Sequence, residues 1–204
     1  MRETRILSDS QLCVRSEENG GNIVEGYASI FNHESRLIAE NGKVFYEIIH
    51  EGAFDNALLR EDLNVIANRD HDDKQMLART LSGTLALQVD STGLKYTFPA
   101  PQTTLGKDTV ELLERGDLRE SSFRFSVKPS GVVWEYGSDG ILRRNIKEIF
   151  KVLDVAIVIN GAFSNTDVSV RGINTEKVEE HLRELTEHEH QLNAYFTNLE
   201  MGFE

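Results

Sequence analysis

Apolar and polar positions alternate along much of the chain, and short turn-forming clusters punctuate the alternation. Residues 81–89 place Leu81, Gly83, Leu85, Leu87 and Val89 on one parity, with Thr84 and Gln88 on the other. That is the period of a half-buried strand. Residues 90–93 predict a turn into a second strand over 94–98, so the pair reads as a hairpin. Asn19-Gly20-Gly21 predicts another hairpin, between strands over 5–15 and 23–31. Further strands are expected over 44–49, 123–127, 132–136, 141–146 and 152–159. Helical spacing is rarer. It occurs at Phe54, Ala57 and Leu58 within 51–60, and at Val110, Leu112 and Leu113 within 107–115, where Gly116 stands as a C-terminal stop. Many short strands with few helices predict a mainly β protein, a sandwich or a closed barrel rather than a doubly wound parallel sheet.

From Thr175 onward the pattern changes in kind. Val178, Leu182, Leu185, Leu192, Phe196 and Leu199 follow 4-3-7-4-3 spacing, with Glu189 at the skipped position. This heptad-like stripe suits a helix docked on its own domain and equally a helix that binds a partner or oligomerises. The Arg171-Gly172-Ile173-Asn174 break before it divides the chain into a β domain over 1–173 and an acidic amphipathic helix over 174–204. His188 and His190 would not share one helical face, which argues against a metal site there.

Composition narrows the function classes. A chain of 204 residues suits one domain with a short appendage. Its 22 Lys and Arg stand against 34 Asp and Glu, a net charge of −12, and no Lys/Arg run interleaved with aromatic residues offsets it. Nucleic acid is therefore not an expected partner, because such binding needs cations to replace phosphate counterions. The longest apolar runs, such as 155–159, are far short of the roughly 20 residues that span a membrane. With Cys13 as the single cysteine, neither an intramolecular disulfide nor a cysteine zinc cluster is possible. There is no Gly-rich phosphate loop, no His-Glu-x-x-His and no Gly-x-Ser-x-Gly elbow, and no cofactor is expected.

Three segments could carry chemistry. Asn68-Arg69-Asp70-His71-Asp72-Asp73 follows the apolar run 63–67, so His71 sits where a strand leaves the core. Its aspartates and histidine could hold a divalent cation, His71 could be a general base, or the segment could be a polar turn. In Ser121-Ser122-Phe123-Arg124-Phe125-Ser126-Val127 the alternation sends Phe123, Phe125 and Val127 to the core and Ser122, Arg124 and Ser126 to the other face. Ser121 shares the Phe face, so Ser122 is the serine expected to be open to solvent or substrate. Asp154 interrupts the apolar run 152–159, and a carboxylate there needs a partner: an arginine for structure, or a histidine that it orients.

Taken together, these segments resemble the prohead maturation proteases of tailed bacteriophages, which are themselves similar to the herpesvirus assemblins. Val24-Glu25-Gly26-Tyr27-Ala28-Ser29-Ile30-Phe31 resembles the family's opening strand, and Glu51-Gly52-Ala53-Phe54 its Gly-Ala-Phe helix start. Asp70-His71-Asp72 with Ala78-Arg79 resembles its Asn-His-Asp…Gly-Arg segment. Arg115-Gly116-Asp117 with Ser122-Phe123-Arg124-Phe125 resembles Gly-Asp…Ser-Phe-Gly-Phe, and residues 152–158 resemble Leu-Leu-Glu-Val-Ser-Val-Val. The five matches occur in the family's order over about residues 23–171.

The resemblance implies a closed antiparallel β-barrel of about seven to eight strands flanked by helices. It implies His71 as general base, Ser122 as nucleophile and Asp154 as third member, with Asp154 one carbon shorter than the glutamate usual there. Residues 161–163 would supply backbone donors to the oxyanion. The implied function is a serine endopeptidase that cleaves scaffold or capsid-protein segments, and also itself, inside the assembling procapsid in the bacterial cytoplasm. Self-association would run through the helix over 174–204. Two other readings compete: a non-catalytic barrel that assembles with capsid or scaffold, and a metal-dependent hydrolase at Asp70, His71, Asp72 and Asp73.

Overall fold

A computed structural model describes residues 3–7, 10–18 and 20–159. Among them the chain forms thirteen strands, two α-helices and a single 3-10 turn at Pro129–Gly131. One sheet has the order β1 (Glu3–Leu7), β10 (Glu120–Ser126), β13 (Lys151–Val158), β6 (Ile66–Arg69), β7 (Asp72–Arg79). A second has the order β11 (Val132–Tyr136), β12 (Leu142–Ile146), β5 (Lys43–Ile49), β4 (Ile38–Glu40). The third runs β2 (Cys13–Ser16), β3 (Asn22–Ile30), β9 (Gly93–Pro99), β8 (Ala86–Val89).

The expected closed antiparallel barrel is not what forms. Among the described residues every sheet is open: β1 and β7, β11 and β4, and β2 and β8 each have a sheet neighbour on one side only. Pairing is also mixed, since β13–β6 and β12–β5 run parallel. The reason lies in what alternation encodes. Period 2 marks which face of a strand is buried, and open sheets sharing one core satisfy that pattern as well as a barrel does. The three sheets do share a core, with Val24, Tyr96 and Phe98 from one, Ile49 and Ile146 from another, and Phe123, Phe125 and Val155 from the third. Phe54 sits in that core, its ring 5.9 Å from Phe123 on β10 and 6.0 Å from Phe31, the residue after β3.

Local signals acted mostly as expected, with shorter reach. The Gly20-Gly21 turn joins β2 to β3, and the Asp90 carboxylate accepts from the Thr92 and Gly93 N–H groups to turn β8 into β9. The strand expected over 5–15 is instead two strands, β1 and β2, in different sheets. Only 86–89 of the strand expected over 81–89 forms, because Gly83 at φ +71° and the Gly83 N–H bonded to the Thr80 carbonyl keep the segment before it in a turn. The helix α1 covers only Asp55–Leu58, since Gly52 at φ +81° and the Asp55 N–H to Gly52 carbonyl bond use the residues before it as turns. The second helix, α2 (Thr104–Glu114), starts where the Thr103 hydroxyl caps the Gly106 N–H. No helix among the described residues is long and apolar enough to cross a membrane. The expected helix over 174–204 and the oxyanion segment 161–163 lie outside the described residues.

Candidate active site

The central sheet brings the three candidate residues together from well-separated parts of the chain. β13 lies between β10 and β6, so its outward-facing side chains have neighbours on both sides. Ser122 on β10 is in register with Ala156, which is in register with Asn68 on β6. One pleat further along the same face, Asp154 stands opposite Arg124. β6 then turns into β7 through Asp70 and His71, with Arg69 paired to Asp72. Both turn residues have positive φ, +53° and +59°, as a two-residue type I′ hairpin turn requires. Asp70 ties this turn to the end of β13: its N–H donates to the Ile157 carbonyl, and its carboxylate accepts from the Ile159 N–H, both at 3.0 Å.

The result is a continuous line of polar contacts. His71 Nδ1 lies 2.8 Å from Asp154 Oδ1, and His71 Nε2 lies 2.7 Å from Ser122 Oγ. The other Asp154 oxygen, Oδ2, accepts from the Arg124 guanidinium and, at 3.4 Å, from Asn68 Nδ2. Arg124 also reaches Asp73 Oδ1 at 3.0 Å. Such an arrangement can move a proton from a hydroxyl to an imidazole while a carboxylate holds the ring's second N–H.

Asp154 is almost wholly buried. Burial pushes its carboxyl up, but hydrogen bonds and charge from His71 and Arg124 outweigh burial and hold it below its ordinary value of 3.8. A carboxylate depressed in the folded state lends stability that is fully present above its unfolded value and lost as pH falls through the lower, folded one. Arg124→Gln removes one of the groups that depress it. The variant is therefore expected to be less stable than the native chain at pH 7, with the gap narrowing below about pH 4. Urea unfolding at pH 7 and pH 3 checks this; a gap of constant size would sink it.

Sequence reasoning placed Arg124 on the site face but gave it no role, and it passed over Asn68. The signal for Arg124 was a paired departure from the family pattern: arginine replaces the usual glycine at 124 and aspartate replaces glutamate at 154. The register sets these two positions side by side, where a shorter carboxylate leaves room for a guanidinium. Ser121 points into the core as expected, its Oγ 2.6 Å from the Tyr96 hydroxyl. Ser122 faces away from the core but is not open to solvent: it is 0% exposed, and its Oγ donates to the Arg5 carbonyl of β1 at 2.8 Å. Alternation assigns a face and is silent on whether another strand covers it.

The aspartates of the 70–73 cluster do not converge. Asp70 holds the end of β13, Asp72 accepts from the Lys74 N–H and Gln75, and Asp73 pairs with Arg124. Among the described residues no three carboxylate, histidine or cysteine side chains are grouped to hold a metal ion.

A hydroxyl, an imidazole and a buried carboxylate in hydrogen-bonded series make up the constellation found in serine hydrolases on several unrelated folds. The sequence agrees at the level of family: the model for the caudovirus prohead serine proteases matches residues 10–184, and the chain belongs to that family. No curated protein and no solved structure matches it.

Proposed function

We propose that the chain is the serine endopeptidase of procapsid maturation, with Ser122 as nucleophile, His71 as general base and Asp154 as the carboxylate that orients the base. The observation that carries this reading is the unbroken Asp154–His71–Ser122 line, at 2.8 and 2.7 Å, in a chain of a prohead serine protease family. His71 Nε2 takes the Ser122 proton as Oγ attacks a peptide carbonyl, and Asp154 favours the imidazolium that results. The imidazolium returns that proton to the leaving amine, and water then releases the acyl group with His71 again as base. Backbone N–H donors at the oxyanion would add about 3–4 kcal/mol each. The substrates are scaffold or capsid-protein segments inside the procapsid in the host cell, and the chain itself. Residues 174–204 serve docking or self-association.

Fluorophosphonate labelling with peptide mapping tests the assignment. A long incubation is expected to place the adduct on Ser122 and to yield none in His71→Ala. An adduct on Ser121, or one that His71→Ala leaves unchanged, would remove the triad. The closure of Ser122 under β1 is the one observation that favours a non-catalytic module, and it has a different explanation.

A further inference from the structure

We infer that β1 is a resident inhibitor strand: the N-terminal residues occupy the place where an extended substrate segment has to lie against β10, and hydrolysis begins only when β1 leaves. This rests on Ser122 being the nucleophile. β1 pairs antiparallel with β10, with Ile6 opposite Ser122 and Arg5 opposite Phe123. It thereby buries the hydroxyl completely, and no acyl donor can reach it.

The contact also bears on proton transfer. A serine hydroxyl has one hydrogen, and whenever it is donated to the Arg5 carbonyl it is not available to His71. The Arg5 carbonyl at 2.8 Å and His71 Nε2 at 2.7 Å therefore compete for that one hydrogen. β1 thus covers the hydroxyl and also offers its hydrogen an acceptor that is not the base.

Besides its ladder with β10, β1 is held by charge. Arg5 reaches Glu47 on β5 at 2.6 and 2.9 Å and Glu40 on β4 at 3.3 Å, and Glu3 pairs with the Arg144 guanidinium on β12. Ile6, by contrast, is 42% exposed. β1 is an edge strand of five residues, so releasing it leaves the other pairings of the sheet intact. It also precedes the family match, which starts at residue 10.

The same contacts define what replaces it. Once β1 has left, Glu40 and Glu47 face the vacated strand position, and Arg144, 2.7 Å from Glu47, offsets them in part. The fitting occupant is an extended peptide, antiparallel to β10, with a basic side chain at the position of Arg5. Affinity would come from strand pairing and selectivity from the two glutamates.

The test compares fluorophosphonate labelling of the 204-residue native chain with two variants of the same length. Arg5→Glu reverses the charge that meets Glu40 and Glu47. Ile6→Pro leaves every charge in place but breaks the strand. If β1 is the inhibitor, Ser122 labels at least about tenfold faster in both variants, in proportion to the open fraction. A synthetic peptide with the sequence of residues 1–9 slows labelling of the variants again, and the same peptide with Arg5→Glu does not. A native chain that labels as fast as both folded variants overturns the inhibitor strand and leaves the Ser122 assignment standing. If folded variants and native chain alike yield no Ser122 adduct, the nucleophile assignment fails and this inference goes with it. Should one variant lack a cooperative melt, the other decides.

Discussion

Ser122→Ala is expected to abolish peptide-bond hydrolysis, by about a millionfold in kcat, because the bond-forming atom is gone and the remaining pair has no nucleophile to serve. The chain should still fold. Alanine removes the contacts to the Arg5 carbonyl and to His71 Nε2, worth about 1 kcal/mol each, and leaves the β10–β13 pairing in place. Ser121→Ala differs in its effect on kcat. Its hydroxyl is buried against Tyr96 Oη, so the loss is about 1–3 kcal/mol of stability with kcat retained. Cleavage of a capsid-derived peptide, measured in the Ile6→Pro background with urea unfolding alongside, separates the two. Equal kcat for Ser122→Ala and the parent would remove the nucleophile assignment.

The second large effect is expected at Asp154. Asparagine has nearly the same shape but no charge, and its amide cannot favour both the Nδ1–H tautomer and the imidazolium. In other serine proteases this change costs about ten-thousandfold in kcat. A similar loss is expected for Asp154→Asn, with KM little changed, because Asp154 is buried beneath His71 and meets no substrate. Arg124 would also lose its carboxylate partner, so the stability of the variant must be measured with its kinetics. A loss below about tenfold would mean that His71 is oriented by other groups.

Much of this site was legible in the sequence for reasons that can be stated residue by residue. The Phe123/Phe125 alternation separated Ser122 from Ser121, and the structure keeps that separation, with Ser121 on Tyr96 and Ser122 on the far face. A carboxylate inside the apolar 152–159 run required partners, and two of the kinds considered are present at once, a histidine and an arginine. Strand order was not legible. The parallel pairing of β13 with β6 brings residue 71 beside residue 154 across more than eighty residues of chain, and no local pattern specifies a partner that distant. Nor could periodicity show that residues 3–7 cross to a different sheet from 13–16 and close over the hydroxyl. The barrel expectation failed for the same reason: burial patterns are local, whereas sheet closure depends on which edges meet.

The turn at Asp70 and His71 has a consequence for how readily this site can act once uncovered. Both residues hold backbone angles that glycine and asparagine adopt most easily, and a histidine there costs of order 1 kcal/mol or more. A two-residue hairpin is the shortest connection available between antiparallel strands, so the imidazole rides on a segment with almost no backbone freedom left to lose. A base on a long loop would have to be recaptured in every turnover, each time against the entropy of its own chain. Here that ordering is completed when the protein folds, and each encounter with a substrate finds the imidazole already aimed at the hydroxyl.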